Sequence, residues 1–212
     1  MSSGALRIPL FPLSGAILFP RSQLPLHIFE PRYRTMVQDA AGSGGLIGMI
    51  QPQGSEDELQ HPSLFRIGCV GEIVGMEELE DGRFNIVLQG THRFRLIAEA
   101  DVGTPYRQAD VDPHALDDSD PEPLGLVQRS AVEQEARRLG DAMGLIVDWE
   151  AVGRLDDEML VNAIAQVAPF DNGAKQALLE EPTLSGRADL LVQLMQFLRL
   201  AHNGGDPSPR LQ

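Results

Sequence analysis

The spacing of apolar residues changes near the middle of the chain. In the first half, short apolar stretches are separated by Gly, Pro, Asp and Ser, a pattern typical of β-strands joined by turns. In the second half, apolar residues recur at every third or fourth position, which indicates amphipathic helices. The pattern therefore predicts an α+β fold in which a β-rich part precedes an all-helical part.

The predicted strands are apolar runs bounded by turn residues, and they cover residues 6–11, 16–19, 24–29, 46–50, 65–77, 84–89, 91–100 and 106–111. Pro9 and Pro12 place the first strand at a sheet edge or a bulged end, because proline cannot donate to a β-ladder. Gly68, Gly71 and Gly75 recur inside one strand, where glycines often mark bulges.

One short helix is predicted among the strands. Pro31 fits the first helical position, and Tyr33, Met36, Val37 and Ala40 follow at helical spacing. Further helices are predicted at residues 121–143, 158–168, 174–179 and 186–201. The resulting domain prediction is a β-rich lobe at 1–115, a helical lobe at 116–202 and a disordered tail at 203–212.

The chain is strongly acidic. Its formal net charge of -14 opposes binding to nucleic acid, because phosphate binding depends on clustered Lys and Arg. Many of the acids fall within residues 110–122, a run containing Pro and Ser that is typical of a solvated linker. Within this run, Asp120 suits the N-cap of the helix that follows.

Cysteine content and hydropathy indicate a cellular compartment. Cys69 is the only cysteine, so the chain cannot form an intramolecular disulfide, and its place in a predicted strand favours burial as a small apolar residue. No uninterrupted run reaches the roughly 18 apolar residues that a membrane span needs. These features predict a protein of the reducing cytoplasm.

Candidate catalytic and metal-binding residues are sparse. His27 and Glu30 lie at a predicted strand-to-helix junction, whereas a zinc site needs three or four converging ligands. Ser14 lacks the glycine pattern of a nucleophile elbow. We therefore predict no catalytic residue, no metal site and no cofactor. Trp149 is interpreted as packing between helices, with a surface anchor for a partner as the alternative.

Four runs carry a family signal: IPLFPL at 8–13, LFP at 18–20, LPLHIFEPRYRTMV at 24–37 and IGCVGEIVGMEELEDGRFNIVLQGTHRFRL at 67–96. Together they resemble the N-terminal substrate-binding domain of the Lon ATP-dependent protease family, and a weaker similarity continues into the helical part. The resemblance implies a bent β-barrel of the pseudouridine-synthase-associated (PUA-like) type followed by a helical bundle. It also implies a role in protein quality control, through recognition of protein substrates.

The lysine content argues against the catalytic activities of that family. Lys175 is the only lysine, and it follows Ala174, whereas a Walker A loop needs Gly-Lys followed by Ser or Thr. The proteolytic Ser-Lys dyad of the family would also need a lysine beside a nucleophilic serine. We therefore expect a stand-alone, non-catalytic module that binds unfolded or exposed apolar protein segments and works with a protease or another protein partner.

The predicted binding residues are six residues of a Pro-rich strand edge and two arginines: Phe11, Pro12, Phe19, Pro20, Leu24, Pro25, Arg32 and Arg93. An extended peptide adds to such an edge while side-chain pockets give selectivity. For Phe11 and Leu24 a role in the core is the favoured interpretation. For the arginines it is structural ion pairing, and either Glu30 or an acid of the helical lobe would compensate Arg32 in the first turn of its helix.

Two other functions stay open at this point. PUA-like barrels elsewhere bind RNA, and a local patch of Arg21, Arg32, Arg93 and Arg95 would allow such binding despite the acidic net charge. A hydrolase with an unrecognised site would require a deep pocket with two or more converging titratable residues.

Overall fold

The structure is a computed structural model that describes residues 4–53 and 61–203. Strands and helices together confirm the α+β class. The predicted tail at 203–212 lies outside the described residues beyond Asn203, as does most of the loop predicted between the strands at 46–50 and 65–77.

Contacts between residues divide the chain into two compact units. The first contains the chain up to Ser119 together with Asp171–Glu180, and the second contains Asp120–Phe170 and the chain from Glu181 onward. In chain order the elements are β1 (Leu6–Pro12), β2 (Gln23–Ile28), α1 (Pro31–Ala41), β3 (Leu46–Ile50), β4 (Ile67–Glu78), β5 (Phe84–Ala100), β6 (Gln108–Asp112), α2 (Leu126–Ala142), α3 (Trp149–Gly153), α4 (Asp157–Val167), α5 (Asn172–Glu180) and α6 (Leu184–Asn203).

The strands of the first unit form one mixed sheet in the order β2-β5-β4-β3-β1-β6, and β6 also pairs with β5. β1 and β3 are parallel, whereas the other neighbours are antiparallel. Because β6 pairs with both β1 and β5, strand pairing passes in turn through β1, β3, β4, β5 and β6 and returns to β1. β2 is attached beside this ring, on the first half of β5.

β1 lies inside the sheet, so the edge position predicted from its prolines is wrong. Leu6–Pro9 pairs with β6, and Leu10–Pro12 pairs with parallel β3. Each half of the strand is therefore paired mainly on one side, which is why the sheet tolerates residues without an N–H donor at these positions.

β5 has 17 residues and contacts three other strands. It pairs with β4 along most of its length, with β2 over Phe84–Gln89 and with β6 over Arg95–Ala100. The two strands predicted on either side of Gly90 are one continuous strand. The glycine is needed because a Cβ at this position would collide with the Phe19 carbonyl. Residues 16–19, predicted as a strand, form an irregular buried segment.

Glycines in β4 serve two purposes. The register against β5 shifts next to Gly71 and Gly75, which confirms the bulges predicted there. At Gly68, a Cβ would collide with the Met49 carbonyl and the Phe94 ring, so this glycine is required by close packing.

One core cluster of the first unit consists of apolar side chains from the strands and the segment before β4: Ile8, Leu10, Ile50, Leu64, Val70, Phe94, Ala109 and Val111. Leu6, Leu46 and Leu96 pack at its border. Burial of each large side chain stabilises the fold by roughly 1.5–3 kcal/mol relative to exposure.

Arg93, on β5, is a charged residue inside this unit, with 2% of its surface exposed. Its backbone N–H and its Nε both donate to the carboxylate of Asp118, with Nε 2.7 Å from Oδ1. Nη1 donates to the Leu179 carbonyl at 2.9 Å, and Nη2 donates to the Asp117 carbonyl at 3.2 Å. One side chain therefore ties β5 to α5 and to the segment that follows β6.

Asp118 occupies a gap along one edge of β5. Arg93 lies between the residues that pair with β2 and those that pair with β6, so its N–H would otherwise be buried without a strand partner. Arg21 donates to the carbonyl of Asp118 at 2.8 Å. The interpretation of residues 110–122 as a solvated linker is therefore wrong for Asp118, and Asp110 lies within β6.

α5 is held in the first unit by polar contacts. Lys175 Nζ donates to the Gly15 carbonyl at 2.6 Å, and Gln176 Nε2 donates to the Ile67 carbonyl at 3.0 Å. The helix thus belongs with the strands although it follows α2, α3 and α4 in the chain. The lobe predicted at residues 1–115 therefore leaves out α5, which the contacts group with the strands.

The second unit is helical in its described residues and contains α2, α3, α4 and α6, of which α3 was not predicted. Glu135 is buried and accepts from Arg199 Nε at 2.6 Å, which joins α2 to α6.

α2 begins after Gly125 and has no side-chain cap, so the cap predicted at Asp120 is wrong. Prolines at 121 and 123 disfavour helical backbone in the residues before them, which accounts for the late start.

Replacing Arg93 with Met is expected to destabilise the first unit by about 3–5 kcal/mol, because Asp118 would stay buried without its charged partner. Urea unfolding followed by circular dichroism, with amide exchange of β5 as a local probe, measures this effect. Arg95→Met, at an exposed position on the same strand, is the matched control and should change the free energy of unfolding by less than about 0.5 kcal/mol. Equal effects of the two substitutions would contradict the assigned role.

Candidate functional site

A shallow depression of about 530 Å³ lies on the three adjacent strands β2, β5 and β4. We call it the Gly75 depression, and its lining residues are Pro25, Leu26, His27, Gly75, Met76, Glu77, Asn85, Ile86 and Val87. All of them belong to the first unit.

The strand register creates the apolar part of this depression. Pro25 and Gly75 are paired with Val87 from opposite sides, so all three lie in one row across the strands. Gly75 adds no side chain to that row and leaves the neighbouring Val87 uncovered. Met76 lines the depression and is 43% exposed, but it pairs with Ile86 in the neighbouring row, so its side chain points to the opposite face of the sheet from Val87. Grouped apolar side chains in contact with solvent indicate a binding surface more strongly than isolated ones do.

A polar network borders the same surface. His27 Nδ1 lies 2.8 Å from Asn85 Oδ1, Asn85 Nδ2 donates to Glu77 Oε2 at 3.1 Å, and Arg83 Nη1 lies 3.2 Å from His27 Nε2. These partners fit a neutral His27 that carries its proton on Nδ1 and accepts from Arg83 on Nε2. The network fixes the three side chains across β2, β5 and β4 and leaves the Glu77 carboxylate at the border.

The free edge of β2 is less suited to binding than the face beside it. Within the described sheet β2 pairs only with β5, so its other edge has unpaired backbone groups. Pro25, near the middle of the strand, has no N–H to offer a bound chain. Prolines on edge strands limit further strand pairing. Side-chain contacts in the Gly75 depression therefore have more to contribute than continuous backbone pairing.

The predicted Pro-rich edge does not form one continuous surface. Phe11 and Phe19 are buried, with 5% and 0% of their surfaces exposed, and Pro12 and Pro20 are also buried. Leu24 is half-buried on β2, and Pro25 is exposed and lines the Gly75 depression.

The two predicted arginines also differ in position. Arg93 is inside the first unit, as described above. Arg32 is exposed, forms an ion pair of 2.9 Å with Glu30 and lies over the Tyr33 ring, 4.5 Å from its centroid. The patch required for RNA binding therefore loses Arg93, because a buried guanidinium cannot contact a phosphate.

A second cavity in the first unit, of about 450 Å³, is lined by both tyrosines and by Pro12 and Arg32. Tyr106 donates its hydroxyl to Asp39 at 2.8 Å, and burial together with this carboxylate raises the pKa of Tyr106 to about 12. Arg107 donates to both carboxylate oxygens of Glu99. The polar groups of this cavity are thus largely paired with one another, which leaves less for a ligand to bind.

The residues considered for chemistry are mostly enclosed. Cys69 is fully buried. Lys175 is 6% exposed, and burial lowers the pKa of its amine. Across residues 4–53 and 61–203, no three His, Cys, Asp or Glu side chains are grouped as a metal site, and no helix is long and apolar enough to cross a membrane.

Comparison with known proteins gives a consistent family assignment. Residues 7–196 match the sequence model of the "ATP-dependent protease La (LON) substrate-binding domain". The chain is 27% identical over 203 residues to "Lon protease 2" of Myxococcus xanthus and 28% identical over 197 residues to "Lon protease 2" of Sorangium cellulosum. These alignments cover 91% and 89% of this chain but 24% of each relative, so the chain spans about a quarter of their length.

Two solved structures share the fold. The crystal structure of a Lon N-terminal domain protein from Xanthomonas campestris superposes with a TM-score of 0.64 at 21% identity, covering 89% of this chain and 98% of that one. The N-terminal domain of a Mycobacterium avium complex Lon protease gives 0.62 at 15% identity, covering 90% and 98%. The strand and helix order, the quoted sequence runs and these matches agree, and the chain belongs to the LON substrate-binding domain family.

Proposed function

We propose that this chain is a non-catalytic module that captures exposed apolar segments of other proteins in the Gly75 depression. The observation that carries the proposal is the row that Pro25, Gly75 and Val87 form across three strands, in a family whose name describes substrate binding. The sequence match is to the substrate-binding domain alone, which supports a binding role for this part of the protein.

The expected affinity follows from the small apolar area. Burying an apolar side chain of the size of Met or Val contributes roughly 1.5–3 kcal/mol. Two or three such contacts, reduced by the cost of association, correspond to dissociation constants of the order of tens of micromolar or weaker. Weak, reversible capture of many different segments suits a module that recognises unfolded chains by their apolar side chains.

Charge gives the surface a preference among segments. Glu72, Glu77, Glu78 and Glu80 are exposed along β4 and the turn after it. Apolar segments that also carry Lys or Arg should therefore bind better than acidic ones, with a preference that weakens as salt screens the charges.

The remaining parts of the proposal concern fold type, partner and location. We propose that the ring of pairing through β1, β3, β4, β5 and β6 is a bent barrel of the PUA-like type. A protease that receives the captured segment is the proposed partner, and the proposed location is the cytoplasm. RNA binding gains no support from the position of Arg93.

Pro25→Asp and Val87→Asp should each weaken binding of a fluorescently labelled, permanently unfolded protein by about tenfold. The added carboxylate replaces an apolar contact and repels acidic segments. Fluorescence anisotropy with a reduced and alkylated protein as the probe measures the dissociation constant.

Ile97→Asp is the matched control for this experiment. Ile97 is an exposed apolar residue on the same strand, β5, at 57% exposure, and it does not line the depression. The control should bind the probe as the unchanged chain does. If all three substitutions weaken binding equally, or if none does, the Gly75 depression is not the binding surface.

The purified chain should hydrolyse neither ATP nor an unfolded protein. Its only lysine is buried against Gly15 and follows an alanine, so no Walker A lysine is available. Phosphate release and gel electrophoresis over several hours test the two activities. Hydrolysis that copurifies with the chain and disappears in the Lys175→Met variant would overturn the non-catalytic assignment.

A further inference from the structure

The second unit contains an apolar pocket of about 180 Å³. We call it the Trp149 pocket, after the only tryptophan in the chain. Its lining comes from the four described helices of the unit, from the loops on either side of α3 and from the residues that follow α4: Ala136, Leu139, Gly140, Met143, Leu145, Val147, Trp149, Val152, Leu155, Leu160, Ala163, Ile164, Val167, Ala168, Pro169 and Met195. The indole N–H of Trp149 is the only polar side-chain group among these residues.

The size and lining of the pocket define the group that fits it. Apolar cavities of about 150 Å³ stay dry and accept a benzene-sized molecule. Gly140 lets the Trp149 indole pack closely against α2, since a Cβ on Gly140 would lie 3.0 Å from the ring, and Ala163 contributes only a methyl group to the lining. The pocket opens where Leu145 and Val167 remain exposed, at 54% and 81%. A chain of about six to eight carbons, entering from this side, matches the space.

A cation lies beside the pocket. The Arg137 guanidinium is stacked over the Trp149 ring, with Cζ 5.0 Å from the ring centroid. In the part of the chain that the structure describes, Arg137 forms no ion pair with a carboxylate, whereas Arg138 is paired with Glu135 at 3.2 Å. Asp148, next to Trp149, is engaged in capping α3 through the N–H groups of the first turn.

We propose that the Trp149 pocket binds a small amphiphilic carboxylate, with its aliphatic chain against Trp149 and its carboxylate on Arg137. The apolar lining selects the chain, and the guanidinium, which has no competing acid within ion-pair distance, selects the anionic head. This site lies in the second unit and is independent of segment capture by the first. The ligand class is a medium-chain fatty acid.

Titration of the full chain with octanoate, followed by emission of its single tryptophan, tests the proposal. Octanoate should shift the emission and bind at least fivefold more tightly than octylammonium, which has the same chain and the opposite charge. Ala163→Leu fills the pocket and should weaken octanoate binding tenfold or more. Ala131→Leu, at an exposed position on α2, is the matched control and should leave binding unchanged.

The Arg137→Gln substitution separates the contribution of the ligand's carboxylate from that of its aliphatic chain. This exposed substitution should weaken octanoate about two- to fivefold and leave octanol unaffected, in line with an ion pair near the surface. Equal binding of octanoate and octylammonium to the unchanged chain would overturn the proposal, as would full octanoate affinity in a folded Ala163→Leu variant. Trp149 emission that shifts with protein concentration alone, together with a dimer in sedimentation, would instead assign the pocket to a second copy of the chain.

Discussion

Arg93 and Asp118 form the buried ion pair around which the first unit is assembled. β5 must pair with β2 over one half and with β6 over the other, so the backbone between the two halves needs a partner that is not a strand. The Asp118 carboxylate supplies it and neutralises the guanidinium at the same point. The remaining guanidinium donors reach Leu179 of α5 and the carbonyl of Asp117. The same strand carries Asn85 and Val87 into the Gly75 depression, which links the candidate site to this core contact.

Much of the fold was predictable because local pattern and tertiary structure agree. The 31–41 helix followed from its proline and its apolar spacing, and the bulges at Gly71 and Gly75 followed from glycines inside a strand. The wrong predictions have a common cause: the role of each residue depends on a contact with a residue that is distant in sequence. Gly90 resembled a strand end, but its lack of a side chain is required by the Phe19 carbonyl. Asp118 resembled a solvated acid because its buried partner, Arg93, is distant in sequence.

The candidate site was predicted in part. Pro25 was identified from the Pro-rich segment, whereas Met76 and Val87 were missed, since their exposure depends on how β4 and β5 are aligned with β2. Phe19 shows the opposite case, in which an aromatic residue beside a proline packs in the interior, whereas the core position of Phe11 agrees with its favoured interpretation. An exposed apolar side chain and a core one have the same sequence pattern, and only the register and the bulge distinguish them. The Trp149 pocket is a similar case, because helices distant in sequence line it.

The proposed function assigns binding of protein segments to the Gly75 depression, in an acidic chain that has few candidate catalytic groups and belongs to a substrate-binding family. Amide hydrogen exchange of the full chain, with and without a saturating unfolded protein, tests this account most directly. Binding in the Gly75 depression should slow exchange at residues 24–28 and 74–78 and in the facing part of β5, with little change in α2 and α6. Protection confined to the second unit, or to the cavity around Tyr106, would contradict it.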